Sequence, residues 1–247
     1  MKIEGKNAVV ELLNSGTNID KILIQNNLSK ELSKIVYLAS KSKIKLQYVE
    51  KVVLDKQSES GRHQGVIAYA TDYKYAEIED AFTLAKSKGE EPFLVLCDEI
   101  ADPHNLGSII RTCECAGVHG IIISKNRCCQ VTDTVIKVST GAAFNMNIIR
   151  VGNLNEAIRN LKKENVFIYA LEAGGNSIYK TNLTGAIGLV VGSEGFGVSK
   201  LTKELADDVV SLPMYGNINS LNASVAGGIC IYEAVKQRNK ILYAKWN

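Results

Sequence analysis

The sequence lacks several features that mark particular classes of protein. No stretch approaches the roughly 18 consecutive apolar residues that a membrane-spanning helix needs, so we expect no membrane segment. The first residues include acidic side chains and no long apolar core, which argues against a signal peptide. Internal repeats and low-complexity tracts are also missing. These absences predict a globular cytoplasmic protein.

Patterns typical of metal sites and of nucleotide-dependent oxidoreductases are missing too. The six cysteines form no C-x-x-C pair, and only three histidines are present to supplement them, so we expect no metal site and reduced thiols. The glycine pattern G-x-G-x-x-G does not follow the strand at residues 93–97, which argues against a dinucleotide-binding oxidoreductase. The glycine-rich segment 192–197 lacks the lysine and Ser/Thr of a phosphate-binding loop.

The charge that is present is unevenly distributed along the 247 residues. Residues 1–75 hold twelve Lys and Arg against eight Asp and Glu, a net charge of +4. The remainder holds seventeen against eighteen, a net charge of −1. A basic front segment suits an acidic partner such as nucleic acid, although a solvated lysine-rich surface explains a charge of this size equally well.

Hydrophobic periodicity divides the chain into two α/β domains. Residues 1–75 predict a small unit with strands at 21–25, 45–49 and 65–70. We interpret the polar residues 76–91 as a linker. In residues 92–247 apolar strands alternate with helices, and this alternation predicts a parallel sheet covered by helices on both faces.

Three unusual loops follow strands of this predicted sheet, with the sequences DEIADPHN, GSEGFG and PMYGNINS. Ligands of parallel sheets bind at the carboxyl ends of the strands, so we expect these loops to form the functional site. In the first loop Asn105 is predicted to cap the next helix, and Arg111 falls beside the apolar stripe of that helix. In the second loop Glu194 either ties loops together or caps the helix that follows.

Two further segments are candidates for close contacts. Six residues from Ala223 to Gly228 are mostly small and include two adjacent glycines, which predicts a helix packed closely against a neighbour or a ligand. In the front unit the polar loop with Arg62, His63 and Gln64 is able to touch phosphates or base edges, or it is an ordinary exposed turn.

Taken together and in chain order, the loop segments resemble the signature motifs of the SpoU (TrmH-type) RNA ribose 2′-O-methyltransferases, in the SPOUT class. The matching segments are DPHNLGSIIRTCECAGVHGII, LVVGSEGFGVS and LPMYGNINSLNASVAGGICIYEA. The front segments GKNAVVELL and GRHQGVIAYA resemble the substrate-binding domain of the RlmB-like branch. The resemblance implies S-adenosylmethionine-dependent methylation of a ribose 2′-hydroxyl in RNA, in this branch of a guanosine in 23S rRNA. Transfer RNA or a ribosomal adenosine is the alternative substrate.

The same resemblance implies an architecture and a set of site residues. The architecture is a SPOUT methyltransferase domain with a C-terminal trefoil knot, an L30-like RNA-binding domain before it, and a homodimer formed through the knotted domain. The implied catalytic residues are Asn105, Arg111, Glu194, Ser220 and Asn222. The implied cofactor-binding residues are Gly192, Leu212, Leu221 and Leu171. The sequence departs from the family pattern at Phe144 and Asn147, where relatives usually have a glutamate and a proline.

The weak point of the implied chemistry is the proton of the 2′-hydroxyl. Arginine is a poor base because its pKa lies above about 12. We therefore expect Arg111 to stabilise the developing alkoxide while a phosphate oxygen or water takes the proton, with a deprotonated Arg111 as the alternative base. A non-catalytic ribosomal RNA-binding protein is the competing function, and the intact set of motif residues argues against it.

Overall fold

The computed structural model describes residues 1–17, 19–70, 73–218 and 220–238. The strands of these residues are β1 (Lys2–Glu4), β2 (Ile19–Gln25), β3 (Leu46–Val49), β4 (Val66–Ala70), β5 (Phe93–Cys97), β6 (Gly120–Ser124), β7 (Ile148–Val151), β8 (Phe167–Ser177), β9 (Ile187–Val191) and β10 (Asp208–Ser211). Their α-helices are α1 (Lys6–Asn14), α2 (Lys30–Lys41), α3 (Lys51–Gln57), α4 (Ile78–Lys88), α5 (Pro103–Cys115), α6 (Asp133–Val138), α7 (Leu154–Lys163), α8 (Lys200–Leu205) and α9 (Ala223–Arg238). None of the described helices combines the length and apolar character needed to cross a membrane.

The chain divides into two compact units, residues 1–74 with 131–145, and residues 75–130 with those from 146 on. The first unit contains a four-stranded sheet in the order β1-β4-β2-β3, in which only the β2–β3 pair is parallel. Helix α2 begins after Ser29, whose hydroxyl accepts a hydrogen bond from the Leu32 N–H, and it buries Leu32, Ile35 and Ala39. The predicted small α/β unit is therefore present, and the short strand β1 is added to it.

Residues 131–145 return from the second half of the chain to pack in the first unit. The Lys2 N–H donates to Asp133 Oδ2 over 2.7 Å, and the Asn145 amide donates to Glu11 Oε2 over 3.0 Å. A Cβ added at Gly141 would lie 2.7 Å from the Cβ of Glu11, so the two segments are in close contact. The domain boundaries predicted from the sequence did not assign residues 131–145 to the first unit.

The second unit is built on a six-stranded sheet in the order β10-β8-β9-β5-β6-β7, and every pair is parallel. This confirms the predicted parallel sheet. Helix α4, inside the segment interpreted as a linker, packs on this sheet: Ala81 and Ala85 are buried, and a Cβ at Gly120 of β6 would lie 2.8 Å from the Ala81 Cβ.

Strand β8 bulges away from β10 before the carboxyl ends of the two strands pair again, through Val210 with Asn176 and Ser211 with Ser177. The register between them shifts at Val209 and Val210, which pair with Ala170 and Asn176, so residues 171–175 have no partner on β10. Helix α9 then packs against α5 and β9. It comes close to β9 at Gly227, where a Cβ would lie 3.2 Å from Val191 Cγ2, and this close contact agrees with the predicted small-residue helix. The knot stays a prediction of the resemblance.

Candidate active site at the carboxyl edge of the parallel sheet

The second and third predicted loops enclose a cavity of about 590 Å³ together with α9. Its walls come from the end of β8, from the loop after β9 and from the chain between β10 and α9. The four residues that the resemblance assigns to the cofactor all line it: Leu171, Gly192, Leu212 and Leu221. A cavity of this volume is in the range that holds a drug-sized ligand.

Residues 192–197 form a tight turn that brings main chain to the wall of this cavity. The N–H of Ser193 donates to the Gly197 carbonyl over 3.0 Å, and the Gly197 N–H donates back over 2.9 Å. A Cβ at Gly192 would lie 2.2 Å from the carbonyl carbon of Gly197 and 2.3 Å from the Val198 nitrogen. No side chain fits at position 192, so a glycine is required there because the main chain of Gly197 and Val198 comes so close.

A polar network joins the three loops beside the cavity. The side-chain amide of Asn222 donates to Asn105 Oδ1 over 3.0 Å and also to Glu194 Oε1. The Asn222 Oδ1 accepts from the N–H groups of Ser224 and Val225 over 3.0 and 3.2 Å, so the same side chain caps α9. Of the two alternatives for Glu194, the structure shows the contact between loops, because α8 begins later, at Lys200.

The prediction that Asn105 caps α5 is wrong. The helix begins at Pro103, and the side chain of Asp102 accepts from the His104 N–H over 3.1 Å as its cap. Proline is favoured at the first helical position because it has no N–H to leave unpaired. Asn105 is therefore inside the first turn, buried, with its amide oxygen directed to Asn222.

The remaining two residues of the implied catalytic set are exposed. Ser220 lines the cavity. Arg111 lies on the exposed flank of α5 and does not line the cavity; no hydrogen bond or ion pair joins its side chain to any described residue. Its neighbour Thr112 faces α9, with its methyl carbon 3.7 Å from a Cβ built at Gly228. Arg111 is thus accessible, next in the chain to the residue of α5 that faces α9.

Two carboxylates that the sequence analysis did not single out hold the glycine-rich turn in place. Glu172, which lines the cavity, accepts from the Val198 N–H over 2.9 Å and lies 3.5 Å from the Lys203 ammonium. Asp98, buried at the end of β5, accepts from the Ser199 N–H over 2.8 Å. In the sequence each acid comes directly after a run of apolar strand residues. That position, at the carboxyl edge of the sheet, was the signal that could have identified both as site residues.

The thiol in the cavity wall is not a nucleophile at neutral pH. Burial, with a smaller contribution from Glu233, raises the pKa of Cys230 to about 12, so the thiol stays protonated. All six cysteines lie in the described ranges and are free. Among described residues no group of three or more His, Cys, Asp or Glu is arranged to hold a metal ion.

The predicted RNA-binding loop of the first unit has mixed accessibility. Arg62 is exposed. His63 is 3% exposed, with one ring nitrogen 2.8 Å from Asp55 Oδ1 and the other accepting from the Gly65 N–H over 3.0 Å. Gln64 Oε1 accepts from the Lys6 N–H over 3.0 Å. The ring of His63 is therefore a structural element of this loop, and Arg62 is its free cation.

Two family models match the chain. The SpoU rRNA Methylase family matches residues 92–232, and the RNA 2′-O ribose methyltransferase substrate-binding family matches residues 2–76. A structure of the SpoU methyltransferase AviRb from Streptomyces viridochromogenes, solved in complex with AdoMet, superposes with a TM-score of 0.81 at 23% identity. That likeness, over 96% of this chain and 90% of AviRb, concerns the fold.

Relatives with known names cover nearly the whole chain. YacO of Bacillus subtilis (strain 168), named as a TrmH family tRNA/rRNA methyltransferase, is 41% identical over 96% of both chains. The 23S rRNA (guanosine-2′-O-)-methyltransferase RlmB of Escherichia coli (strain K12) is 37% identical over 88% of this chain and 89% of its own. The chain therefore belongs to the SpoU rRNA methylase family, with the substrate-binding domain of RNA 2′-O ribose methyltransferases at its front.

Proposed function

We propose that the protein transfers a methyl group from S-adenosylmethionine to the 2′-hydroxyl of a guanosine in 23S rRNA. The observation that carries this proposal is the Asn105–Asn222–Glu194 network beside a cavity walled by main chain. It joins the three segments that resemble the family motifs at one point. Such an arrangement suits a reaction in which a ribose is oriented beside a bound cofactor.

The cavity fits the chemistry of the cofactor. Its lining combines the apolar side chains of Leu171, Leu212 and Leu221 with the exposed main chain of the glycine-rich turn. The carboxylates of Glu172 and Glu194 also line it and give it negative charge, which suits a ligand that carries a sulfonium and an ammonium group. When bound there, S-adenosylmethionine supplies an electrophilic methyl group.

The protein's own residues have to orient the ribose and lower the cost of removing its proton. Ser220 and the network of Asn105 and Asn222 supply hydroxyl and amide groups that hold the ribose hydroxyls in line. Arg111 places a guanidinium beside the 2′-oxygen and stabilises the negative charge that develops on it. A phosphate oxygen of the RNA or a water molecule accepts the proton, since an arginine is protonated at neutral pH.

The substrate proposal follows the named relatives and the charge of the chain. RlmB of Escherichia coli is named for a guanosine of 23S rRNA, while YacO is named for tRNA or rRNA. The net charge of +4 in residues 1–75 favours a polyanion at the substrate-binding domain. Transfer RNA and a ribosomal adenosine remain the alternative substrates for the same chemistry.

A homodimer through α9 is part of this proposal. Val225, Ile229 and Tyr232 recur at helical spacing and are 50%, 37% and 50% exposed, while the opposite face of α9 is buried in the protomer. An apolar stripe of this kind is typical of a protein interface. Sedimentation of the full chain should therefore give a dimer, and Ile229→Lys should shift it toward monomer. A wild-type monomer at micromolar concentration would contradict this assembly.

The decisive experiment maps methylated riboses. 23S rRNA from cells with and without the gene is compared for 2′-O-methyl groups, and the purified protein is supplied with labelled S-adenosylmethionine and unmodified rRNA. We expect one guanosine to lose its methyl group in the deletion strain and to regain it in vitro. An unchanged rRNA map with methylation of tRNA would support the alternative substrate. RNA binding without any transfer would favour the non-catalytic RNA-binding protein.

A further inference from the structure

Helix α2 of the first unit presents a row of basic and aromatic side chains. Lys30, Lys34, Tyr37 and Lys41 follow the spacing i, i+4, i+7 and i+11, which places them on one face of the helix. All four are exposed, and Tyr37 is 68% exposed. We call these four residues the α2 stripe. It extends over about 16 Å along the helix axis, at 1.5 Å per residue.

The stripe has no structural role within the described part of the chain. The opposite face of α2 is the one that packs in the domain, through Leu32, Ile35 and Ala39. No ion pair or hydrogen bond joins the side chains of the stripe to any described residue. An exposed tyrosine between unpaired lysines contributes little to folding, because most of its surface stays in contact with water. The arrangement therefore calls for a ligand outside the domain.

Negative charge on α2 is kept away from this face. The acidic residue of the helix, Glu31, lies about a quarter turn aside, where it accepts from the Ser29 hydroxyl over 2.6 Å and pairs with Lys6 over 3.4 Å. These hydrogen bonds and the Lys6 charge lower the pKa of Glu31 to about 2, so it stays ionised and occupied by its partners. The stripe itself is left with positive charge alone.

The polar loop that carries the exposed Arg62 lies near the start of α2. Lys6 links the two: its N–H donates to Gln64 Oε1 over 3.0 Å and its ammonium lies 3.4 Å from Glu31. The loop that carries Arg62 therefore adjoins the N-terminal end of α2.

We propose that the α2 stripe is an RNA-binding surface, on which Lys30, Lys34 and Lys41 contact phosphates and Tyr37 stacks on an unpaired base. Charge complementarity selects a polyanion, and the exposed ring selects an unpaired segment, since a base in a duplex has no free face to stack on. The proposal rests on the proposed function, because it assigns part of that same RNA substrate to this helix. Duplex RNA would contact the three lysines through its phosphates, but it would offer no unpaired base to stack on Tyr37.

The test is the affinity of the full-length protein for an unmodified 23S rRNA transcript over a range of salt concentrations. Replacing all three lysines by glutamine should weaken binding and lower the slope of log K against log salt by about 2, at about 0.7 per lost contact to single-stranded RNA. Tyr37→Ala should weaken binding roughly 5- to 150-fold with an unchanged slope, while Tyr37→Phe should retain wild-type affinity because it keeps the ring.

The matched control removes the same charge elsewhere, with Lys86, Lys88 and Lys125 of the second unit replaced by glutamine. These lysines are exposed and form no ion pair with described residues. The control should keep the wild-type affinity and slope. Equal losses in both triple variants would mean that net charge alone holds the RNA, and an unchanged slope in the α2 variant would equally overturn the proposal.

Two readouts separate this proposal from the proposed function. Calorimetric binding of S-adenosylmethionine and the thermal unfolding midpoint should be the same in all variants, because the α2 stripe is exposed and belongs to the other unit from the cavity. Methyl transfer by the wild type to the same transcript tests the function itself. If the wild type transfers methyl groups and the α2 variant binds RNA with wild-type affinity, the proposal for the α2 stripe is wrong and the proposed function stands. If the wild type binds the transcript through the stripe without transfer, the function is wrong and the surface stands.

Discussion

The side-chain amide of Asn222 donates a hydrogen bond to Asn105 over 3.0 Å, across a sequence separation of 117 residues. The bond joins the start of α9 to the first turn of α5. The Asn222 oxygen caps α9 at the same time. One side chain thus has two functions, which can be separated because capping needs only an oxygen acceptor and the network needs the amide hydrogens.

Asn222→Ser should retain the cap and lose the network. Serine caps helices about as well as asparagine, so the stability of Asn222→Ser should be close to that of the wild type. Asn222→Ala should cost about 1 kcal/mol, as a lost cap does. Both variants should lose turnover to a similar extent, because neither has the two amide hydrogens that Asn222 donates to Asn105 and Glu194. Chemical denaturation and methyl-transfer assays check the two parts. Full activity in Asn222→Ser would mean that the cap alone matters.

Glycine 192 should be intolerant of any side chain. A Cβ there would lie within 2.3 Å of main-chain atoms of Gly197 and Val198, and main chain cannot move aside as a flexible side chain does. Gly192→Ala should therefore weaken cofactor binding and destabilise the domain by about 1–3 kcal/mol, as overpacking does. Gly152→Ala, after β7, is the control, since nothing lies within 4 Å of its added Cβ and the residue does not line the cavity. Calorimetry with S-adenosylmethionine should separate them; equal affinities would contradict the cavity assignment.

Arg111→Ala should lower turnover about 100-fold or more, on the scale of a lost group that stabilises an oxyanion. The affinity for S-adenosylmethionine should change little, because Arg111 does not line the cavity. Arg159→Ala, which removes an exposed arginine from α7, is the control and should have wild-type turnover. Single-turnover kinetics with saturating cofactor check the difference. Loss of cofactor binding with normal turnover per bound enzyme would assign Arg111 to the cofactor site instead.

Much of the fold could be predicted from local patterns. The strand–helix alternation after residue 92 indicated a parallel sheet, and the apolar stripe of α5 was visible in the sequence. The start of α5 was misplaced because Asp102 and Asn105 are both good caps, and the proline at the first helical position was the signal that distinguishes them.

What local patterns could not predict depends on contacts between distant segments. The contact of Asn222 with Asn105 and the return of residues 131–145 to the first unit have no local signature. The support of the glycine-rich turn by Glu172 required knowing that β8 and β9 are neighbours. The burial of His63 could not be predicted for the same reason. A polar residue in a polar loop was expected at the surface, but its ring is buried and forms a hydrogen bond with Asp55.

Glu4 should make the stability of the first unit dependent on acid pH. Burial alone would raise the pKa of this carboxyl, but hydrogen bonds from Ser60, Ser58 and the Glu59 N–H, with the charge of Lys137, lower it overall. A carboxyl whose pKa is lower in the folded state stabilises the fold above its ordinary pKa of 4.5, and this contribution is lost as the pH falls through the folded value.

Glu4→Gln removes that dependence. At neutral pH it should cost about 1–3 kcal/mol, because charge-assisted hydrogen bonds to the Ser58–Ser60 loop are replaced by weaker ones. As the pH falls below 4.5, the wild type should lose this advantage, and the unfolding midpoints of the two proteins should converge. Glu59→Gln, which changes an exposed carboxylate of the same loop, is the control and should show a smaller difference at neutral pH. A gap between wild type and Glu4→Gln that is constant down to strongly acid pH would show that Glu4 acts through shape and not through its charge.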